Sequence, residues 1–215
     1  MIEHVDFRLY LATDPALTGT RDLGDIVRIA VENGVSLVQL REKHVSARSF
    51  FETARALHAV TAKAGVPLII NDRVDIMLAV GAEGVHVGRG DLPVAAARKL
   101  AGNQHLLGYS VNTAEHLETA EAAGADYVGV GPVFATSTKD NTPPPLGIDG
   151  LRAIVRRASI PCVAIGGINA ENAADVVAAG ADGCCVISAI LGQQDIAAAT
   201  RDINAAIRSG FRARS

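Results

Sequence analysis

A long polar connection between Gly131 and Gly147 contains the residue types that bind a phosphate ester. Three hydroxyl side chains and an ammonium follow one another in it, at Thr136, Ser137, Thr138 and Lys139. Hydroxyls, backbone N–H groups and a cation all stabilise phosphate oxygens. Connections in α/β units usually run roughly 2–6 residues, and longer ones are often active-site lids. For the segment taken alone, a solvated loop of turn-forming residues is the alternative.

Two aspartates, Asp72 and Asp91, follow neighbouring apolar runs and are candidate metal ligands. Two carboxylates from adjacent strand ends can hold one Mg²⁺, which fills its remaining positions with water and substrate phosphates. Alternatively, each aspartate caps a helix, Asp72 the one that follows it and Asp91 the one at Pro93. His86 lies inside a β-like run, where we expect it to be buried and hydrogen-bonded rather than a metal ligand.

A cluster of charged and polar residues ends the second β-like run, in the order Gln39, Leu40, Arg41, Glu42 and Lys43. Because side chains alternate along a strand, Gln39 and Arg41 share one face. The two cations suit an anionic ligand. They could equally pair with Glu42 or with other acids on the surface.

Glycines and a serine end three further β-like runs. Gly166 and Gly167 follow the seventh run and Ser188 follows the eighth; paired glycines let backbone N–H groups approach a phosphate closely. Ser110 follows the fifth run. A helix N-cap is the alternative for Ser110, because no histidine or acid pattern in the sequence marks it as a nucleophile.

Eight apolar β-like runs alternate with helix-like segments along the whole chain. The predicted strands are Phe7–Thr13, Val35–Leu40, Val66–Ile70, Gly84–Val87, Leu106–Tyr109, Asp126–Val130, Pro161–Ile165 and Asp182–Ile187. The predicted helices are Leu23–Asn33, Ser46–Ala64, Val74–Val80, Pro93–Leu100, Thr113–Ala123, Ile148–Ala158, Ala170–Ala179 and Asp195–Arg208.

Several joints between these segments are nearly the same sequence, which indicates one βα unit used many times. NGVSLVQL, VGAEGVHV, AGADYVGV and AGADGCCV each place glycine at a helix end, then a polar step, then a buried strand. Continuously apolar strands are typical of a parallel sheet covered on both faces. The chain is therefore predicted to be an α/β protein, a single-domain (β/α)₈ TIM barrel over residues 1–215. An open doubly wound sheet is the alternative, although no GxGxxG follows the first strand. Residues 209–215 are predicted to be a disordered tail.

Composition excludes several classes of protein. Net charge is −3, and no basic run with interleaved aromatic residues suggests a nucleic-acid surface. No apolar stretch reaches the ~18 residues that a membrane helix needs. The N-terminus has acidic residues where a signal peptide would be basic, which favours a cytoplasmic protein. Cys162, Cys184 and Cys185 have neither metal-finger nor CxxC spacing, so we expect buried, reduced thiols. Oligomeric state is left open, a homo-oligomer included.

Six segments of the chain together resemble the thiamine phosphate synthase family. They are YLATDPAL, VQLREK, INDRVDIMLAVGAEGVHVG, GPVFATSTK, VAIGGIN and DGCCVISAI, and they span about Leu9 to Leu191. The resemblance implies a transferase of thiamine biosynthesis that joins two phosphorylated small molecules, a hydroxymethylpyrimidine pyrophosphate and a thiazole phosphate, and releases pyrophosphate. It also implies Mg²⁺ as the cofactor.

The resemblance assigns a role to each candidate residue. The pyrimidine and its pyrophosphate would be held by Gln39, Leu40, Arg41, Glu42, Lys43, Asn71, Ser110 and Lys139. The thiazole phosphate would be held by Thr136, Ser137, Thr138, Gly167, Ile187 and Ser188. Asp72 and Asp91 would bind Mg²⁺, and Arg41, Ser110 and Lys139 are the catalytic candidates. No general base is evident, which suits ionisation to a pyrimidinylmethyl cation.

Two positions depart from the family pattern, and three other functions compete with this interpretation. Arg89 stands where the family often has Gln, and Asn112 stands where His is expected. A paralogue with thiazole tautomerase activity would need an acid–base His at position 112 and would lack the intact TSTK loop. A non-catalytic phosphate-ligand-binding barrel would not need Asp72, Asp91 and Lys139. A sugar-phosphate epimerase would need proton-transfer groups at the barrel mouth.

Overall fold

Eight short parallel strands form a closed barrel. The computed structural model describes residues 5–43, 45–136 and 143–214. Each strand pairs with its neighbours in chain order, and the ring closes by pairing the last strand with the first, Leu9 opposite Cys184. The predicted TIM barrel is therefore confirmed and the open-sheet alternative is wrong. The strands are β1 (Leu9–Ala12), β2 (Leu37–Leu40), β3 (Leu68–Asn71), β4 (Gly84–Val87), β5 (Leu106–Val111), β6 (Tyr127–Val130), β7 (Cys162–Ile165) and β8 (Gly183–Val186).

Helices follow the strands in regular alternation. They are α1 (Leu23–Glu32), α2 (Ala47–Lys63), α3 (Val74–Val80), α4 (Val94–Ala101), α5 (Ala114–Ala122), α6 (Gly147–Val155), α7 (Ala173–Ala178), α8 (Ser188–Leu191) and α9 (Ile196–Arg214), with a 3₁₀ helix at Pro15–Leu17. Neither α8 nor the 3₁₀ helix was predicted from the sequence, because a single turn is too short to show a helical period. Across the described ranges, none of these helices combines the length and the apolar character that a bilayer-spanning segment requires.

The recurring glycine joints are helix C-terminal turns. Val35 N–H donates to Ala30 O at 3.1 Å and Val66 N–H donates to Thr61 O at 3.0 Å, as in the Schellman motif that follows a glycine of positive φ such as Gly34. The predicted starts of two strands, at positions 35 and 66, were therefore two residues too early. Both valines are apolar because they lie between helix and sheet, but their backbone bonds to the helix.

In the four repeated joints, the polar residue after the turn forms a clamp at the end of the barrel where the strands begin, here called the lower rim. Leu68 N–H donates to Glu83 Oε2 at 2.7 Å, and Glu83 N–H returns a bond to Leu68 O at 3.1 Å. The step thus fixes the start of the preceding strand through one side-chain and one backbone bond. The other clamps join Ser36 to Leu9, Asp126 to Leu107 and Asp182 to Cys162.

The apolar core has two layers separated by the sheet. The larger layer lies between strands and helices, and the smaller one fills the barrel interior with Tyr10, Ala12, Leu37, Ile69, Leu106, Tyr127, Val163 and Cys185. All three cysteines are buried and none of them forms a disulfide bond, as predicted. Burial raises the pKa of Cys162 and of Cys184 to about 12, so these thiols are unreactive at neutral pH.

The closing helix, α9, runs further than the sequence suggested. Residues 209–214 continue it, so the prediction of a disordered tail is wrong there; Ser215 lies outside the described residues. A Cβ at Gly210 would lie 2.5 Å from Ala174 O, so glycine allows α9 to pack closely on α7. Arg214 Nη1 then donates to Gly180 O at 2.9 Å, which holds the end of the helix on the barrel.

Candidate functional site

A cavity of about 840 Å³ opens at the other end of the barrel, where the strands end, here called the upper rim. All eight strands contribute residues to its walls. Because parallel strands end together, side chains that are distant in sequence meet there. Ten of the predicted site residues line it: Gln39, Arg41, Lys43, Asn71, Asp91, Ser110, Thr136, Gly167, Ile187 and Ser188.

Three of the described candidates do not line this cavity, namely Leu40, Glu42 and Asp72. Leu40 is fully buried in the layer between strands and helices, as expected for the residue between inward-facing Gln39 and Arg41. Burial, and then repulsion from Asp14, raises the pKa of Glu42. Ser137, Thr138 and Lys139 lie outside the described residues, so their predicted contacts stay predictions.

The capping interpretation of the two aspartates is wrong. The residue before α3 is Arg73, the residue before α4 is Pro93, and neither helix start has a side-chain cap. Asp91 Oδ2 instead accepts from Gly88 N–H at 2.8 Å within the loop after β4. Asp72 has φ 62°, a left-handed conformation that few non-glycine residues adopt outside functional sites and turns.

Asp91 affects the protonation of Asp72. The pKa of Asp72 is raised, first by burial and then by a hydrogen bond to and repulsion from Asp91, while Lys43 acts in the opposite direction. Lys43 Nζ lies 3.2 Å from Asp72 Oδ2, so its ion pair is with a site residue rather than with Glu42. Two carboxylates that resist ionising together are stabilised by a divalent cation.

The donor set of this carboxylate pair fits Mg²⁺. Carboxylate oxygens are hard ligands, and Mg²⁺ often uses only one or two of them beside water and phosphate. Within residues 5–43, 45–136 and 143–214, no group of three or more His, Cys, Asp or Glu side chains could hold a metal. A site that keeps several positions for water and phosphate is therefore the type that this pair could form.

The opposite side of the cavity is built from backbone. Gly166 and Gly167 follow β7 with φ of 101° and 65°. A Cβ on Gly166 would lie 2.6 Å from Pro132 Cβ, and one on Gly167 would lie 2.6 Å from Ala135 O. Only glycine fits this approach of the long connection to the loop after β7. Phe134 N–H donates to Gly166 O at 3.0 Å and fixes the base of that connection.

Ser110 lies inside β5 and is not a helix cap, since Thr113 caps α5. Its Oγ is 2.9 Å from His86 Nε2, a partner that the sequence analysis did not identify. His86 Nδ1 contacts the Tyr127 hydroxyl at 3.2 Å, so a phenol rather than a carboxylate orients the imidazole. Among the residues that the structure describes, the hydrogen-bond partner of His86 Nδ1 is this phenol and not the carboxylate of a serine–histidine–acid triad. His86 is buried and hydrogen-bonded, as predicted.

Both departures from the family pattern lie in the cavity wall. Arg89 adds a cation to it, and Asn112 lines it close to Ser110. Asn112 Oδ1 is 2.8 Å from His116 Nδ1 on α5, so a histidine still stands one helical turn behind the position where one was expected. The hydroxyl of Ser110 has its hydrogen-bond contact with His86 rather than with Asn112.

Comparisons with family models, with curated proteins and with solved structures each find members of one family. The family described as thiamine monophosphate synthase matches residues 9–190. A thiamine-phosphate synthase of Chloroflexus aurantiacus is 52% identical, covering 94% of both chains. Another, of Clostridium novyi, is 47% identical over 93% of this chain and 98% of its own. The solved structure of a thiamine phosphate pyrophosphorylase of Pyrococcus furiosus superposes with a TM-score of 0.88 at 37% identity, covering 96% of this chain and 98% of its own.

Proposed function

The chain belongs to the thiamine monophosphate synthase family and is a transferase, and we propose the reaction it catalyses in full. It joins 4-amino-2-methyl-5-hydroxymethylpyrimidine pyrophosphate to 4-methyl-5-(2-phosphoethyl)thiazole. The products are thiamine phosphate and pyrophosphate. The carboxylated thiazole phosphate is a second candidate acceptor.

One observation carries this proposal beyond family membership: a single cavity contains two chemically different anion-binding sides. One side has Arg41, Lys43 and the carboxylate Asp91, which suit a pyrophosphate and its metal ion. The other has Gly167 and the start of α8 at Ser188, which offer backbone N–H groups to a phosphate. Two anionic substrates need two such sides that face one space.

On the charged side, we assign the pyrophosphate to Arg41, Lys43, Asn71 and Lys139. Arg41 and Lys43 already reach the cavity, and Asn71 ends β3 between them and the aspartates. The pyrimidine ring lies deeper, against Gln39 and Ser110, and the assignment of Leu40 and Glu42 to this substrate rests on sequence resemblance. Arg41, Ser110 and Lys139 are the residues assigned to catalysis.

Mg²⁺ would be held by Asp72 and Asp91 together with the pyrophosphate. When bound, it supplies positive charge beside the leaving group. Lys43 Nζ lies 3.2 Å from Asp72 Oδ2, so it would be free to contact the pyrophosphate when Asp72 holds the metal ion.

On the glycine side, the thiazole phosphate is assigned to Thr136, Ser137, Thr138, Gly167, Ile187 and Ser188. Thr136 and Gly167 belong to the two loops that the bond from Phe134 N–H to Gly166 O holds together. The phosphate would therefore bind where the long connection meets the loop after β7. This places the thiazole ring toward the middle of the cavity.

The chemistry follows a dissociative course. The bond from the pyrimidine methylene carbon to the pyrophosphate oxygen breaks, and its electron pair leaves with the pyrophosphate. The thiazole nitrogen then donates its lone pair to the resulting pyrimidinylmethyl cation. No proton is removed in this step, so the site needs charge stabilisation by Arg41, Lys43 and Lys139 rather than a general base.

The competing functions are not supported. The relatives that match over most of the chain carry the name of the synthase. A tautomerase would use a histidine at position 112, where this chain has an asparagine bonded to His116. The carboxylate pair and the cations beside it exceed what a non-catalytic phosphate binder needs.

The decisive experiment incubates the protein with both substrates and Mg²⁺ and measures thiamine phosphate and pyrophosphate. We expect equal amounts of both products, and none when either substrate is omitted or the metal ion is chelated. A parallel reaction with the carboxylated thiazole identifies the preferred acceptor. Release of pyrophosphate without thiamine phosphate, or no reaction at all, would overturn the proposal.

A further inference from the structure

A chain of four hydrogen bonds crosses the barrel interior and connects two walls of the cavity. Gln39 Nε2 is 2.7 Å from the Tyr10 hydroxyl, which is 3.0 Å from the Tyr127 hydroxyl. The Tyr127 hydroxyl is 3.2 Å from His86 Nδ1, and His86 Nε2 is 2.9 Å from Ser110 Oγ. We call these five residues the inner chain. All five residues contribute to the cavity wall, and the two tyrosines between its ends are almost completely buried.

Two glycines within strands, Gly108 and Gly129, leave the space that the inner chain occupies. A Cβ at Gly108 would lie 2.3 Å from Tyr127 Cζ and 2.4 Å from His86 Nδ1. A Cβ at Gly129 would lie 3.2 Å from His86 Cε1. Glycine weakens a strand interior, so its use twice beside the same imidazole indicates that the imidazole and its phenol partner must fit there.

The donors and acceptors of the inner chain fix its direction. The Gln39 amide nitrogen can only donate, so the Tyr10 hydroxyl accepts from it and gives its own hydrogen to Tyr127. The Tyr127 hydroxyl, having accepted, donates to His86 Nδ1. His86 then carries its proton on Nε2 and donates it to Ser110 Oγ. Burial raises the pKa of both phenols well above the ordinary value, so both stay protonated and can act as donors.

The direction decides what the two ends present to a ligand. Gln39 has its nitrogen turned toward Tyr10, so its carbonyl oxygen is the group that it can offer to the cavity. Ser110 accepts from His86, so its own hydrogen is the group that it can offer. One wall thus presents an acceptor and the other a donor. Rotating the Gln39 amide would break its hydrogen bond to Tyr10, and turning the Ser110 hydroxyl would break its hydrogen bond to His86. Either loss would leave a buried polar group without a partner.

We propose that Tyr10, Tyr127 and His86 are positioning residues that select a 4-aminopyrimidine over its 4-oxo counterpart, an inference that rests on the proposed function. The exocyclic amine donates to the Gln39 carbonyl oxygen, and a ring nitrogen accepts from the Ser110 hydroxyl. A 4-oxo ring would place a second acceptor against the Gln39 carbonyl. Gln39 cannot rotate to meet it without giving up Tyr10.

The kinetic test compares the pyrophosphates of the 4-amino and the 4-oxo pyrimidine as substrates. Sites that hydrogen-bond a substrate group can reject an analogue lacking it by ~10⁴, so we expect wild type to prefer the amine by at least about a hundredfold in kcat/KM. In Tyr127→Phe the Tyr10 hydroxyl can turn its hydrogen to Gln39, whose amide can then rotate. The preference should fall at least about tenfold in that variant.

A matched control is Tyr109→Phe. Tyr109 is equally a strand tyrosine and is buried, but it packs in the layer between strands and helices. This variant should keep the wild-type preference. An unchanged preference in Tyr127→Phe, or an equal loss in both variants, would overturn the proposal.

A spectroscopic test needs no turnover. Long-range ¹⁵N–¹H spectra of wild type, with the His86 signal assigned by its loss in His86→Gln, report which ring nitrogen carries the proton. We expect Nε2. A proton on Nδ1 would mean that the inner chain runs in the reverse direction and would overturn the inference while product formation still supports the function. An Nε2 proton in a protein that makes no thiamine phosphate would overturn the function alone.

Discussion

The two rims of the barrel differ in how far their residues repeat from one βα unit to the next. At the lower rim the same clamp recurs, with Ser36, Glu83, Asp126 and Asp182 each bonding back to the start of the preceding strand. At the upper rim the side chains differ in chemistry from strand to strand, and cations, the carboxylate of Asp91, two serines and paired glycines face one cavity. Repetition therefore marks the part that stabilises the fold, and departure from repetition marks the part that binds and reacts.

The largest expected effect is at the upper rim, in Asp91→Asn. Removing one electrostatic contact of a reacting centre commonly costs about a hundredfold or more in turnover, and we expect a loss of at least that size here. The metal-free Tm should not fall, because asparagine keeps an acceptor for Gly88 N–H and also removes the repulsion from Asp72. Turnover at saturating substrates with Mg²⁺ and in EDTA, beside a thermal melt, checks both halves. Full activity of this variant in EDTA would show that Asp91 holds no metal ion.

The next effect separates a site glycine from a structural one. In Gly167→Ala the new Cβ would lie 2.6 Å from Ala135 O at φ 65°, so the loop must shift and KM for the thiazole phosphate should rise roughly tenfold to a hundredfold, as a lost phosphate contact predicts. Gly65→Ala is the matched control, because it has φ 68° but open space around it. It should lower Tm without changing KM. Equal KM in both variants would contradict the assignment of Gly167.

A smaller effect, on stability and not on turnover, is expected at the lower rim. Asp182→Ala removes the acceptor of Cys162 N–H, at 2.8 Å, and should lower the free energy of unfolding by about 1–2 kcal/mol. Turnover well below Tm should not change. Asp182→Asn keeps a carbonyl acceptor and should recover most of the stability. Denaturant titration of both variants measures this, and a loss of turnover at constant stability would show that the two rims are not separate in function.

The smallest expected effect is a rise in the metal-free Tm when Asp72, one of the two candidate metal ligands, is replaced. The raised pKa of Asp72 means that the metal-free fold binds a proton more tightly than the unfolded chain. The stabilisation of the fold by this bound proton is fully present below the ordinary pKa of 3.8. It is lost as the pH rises through the raised pKa of Asp72. At neutral pH, Asp72→Asn should therefore raise the metal-free Tm, by roughly 2–4 °C for each kcal/mol of repulsion removed.

Lowering the pH separates this effect from other causes of stabilisation. The gain in Tm of Asp72→Asn should shrink as pH approaches 3.8, and added Mg²⁺ should stabilise wild type but not the variant. Asparagine tolerates the left-handed backbone at this position, whereas Asp72→Ala should lose stability at any pH. A metal-free asparagine variant less stable than wild type at pH 7 would contradict the repulsion between Asp72 and Asp91.

The barrel and much of its site could be predicted from local sequence, because residues that mark the start and the end of the strand recur in the βα units. An apolar run of about four residues, bounded by a glycine turn and a polar residue, fixes a strand, its two faces and its end. Once the unit count gives a closed barrel, the residues after the strands must meet at one rim. Arg41, Asp91, Ser110 and Gly167 were placed in this way.

The inner chain could not be predicted, because it depends on which residues face each other across the closed ring. Tyr10, His86 and Tyr127 come from three different strands, and no local pattern relates them. The available signal was a polar residue between Val85 and Val87, which alternation turns inward, opposite Gly108 on the next strand. The clamps were visible only as repeated letters, since their bonds join residues that lie 15 to 27 positions apart.

The pairing of β1 with β8 also bears on how the protein emerges from the ribosome. Leu9 lies in the first strand of the ring to be synthesised, whereas its partner Cys184 lies in the eighth. For most of translation one edge of the growing sheet therefore exposes unpaired backbone and the interior side of Tyr10. Completion of the ring must wait for the C-terminal strand and for α9, which packs on both α1 and α7. Until β8 has been synthesised, this edge can pair with the strands of other chains.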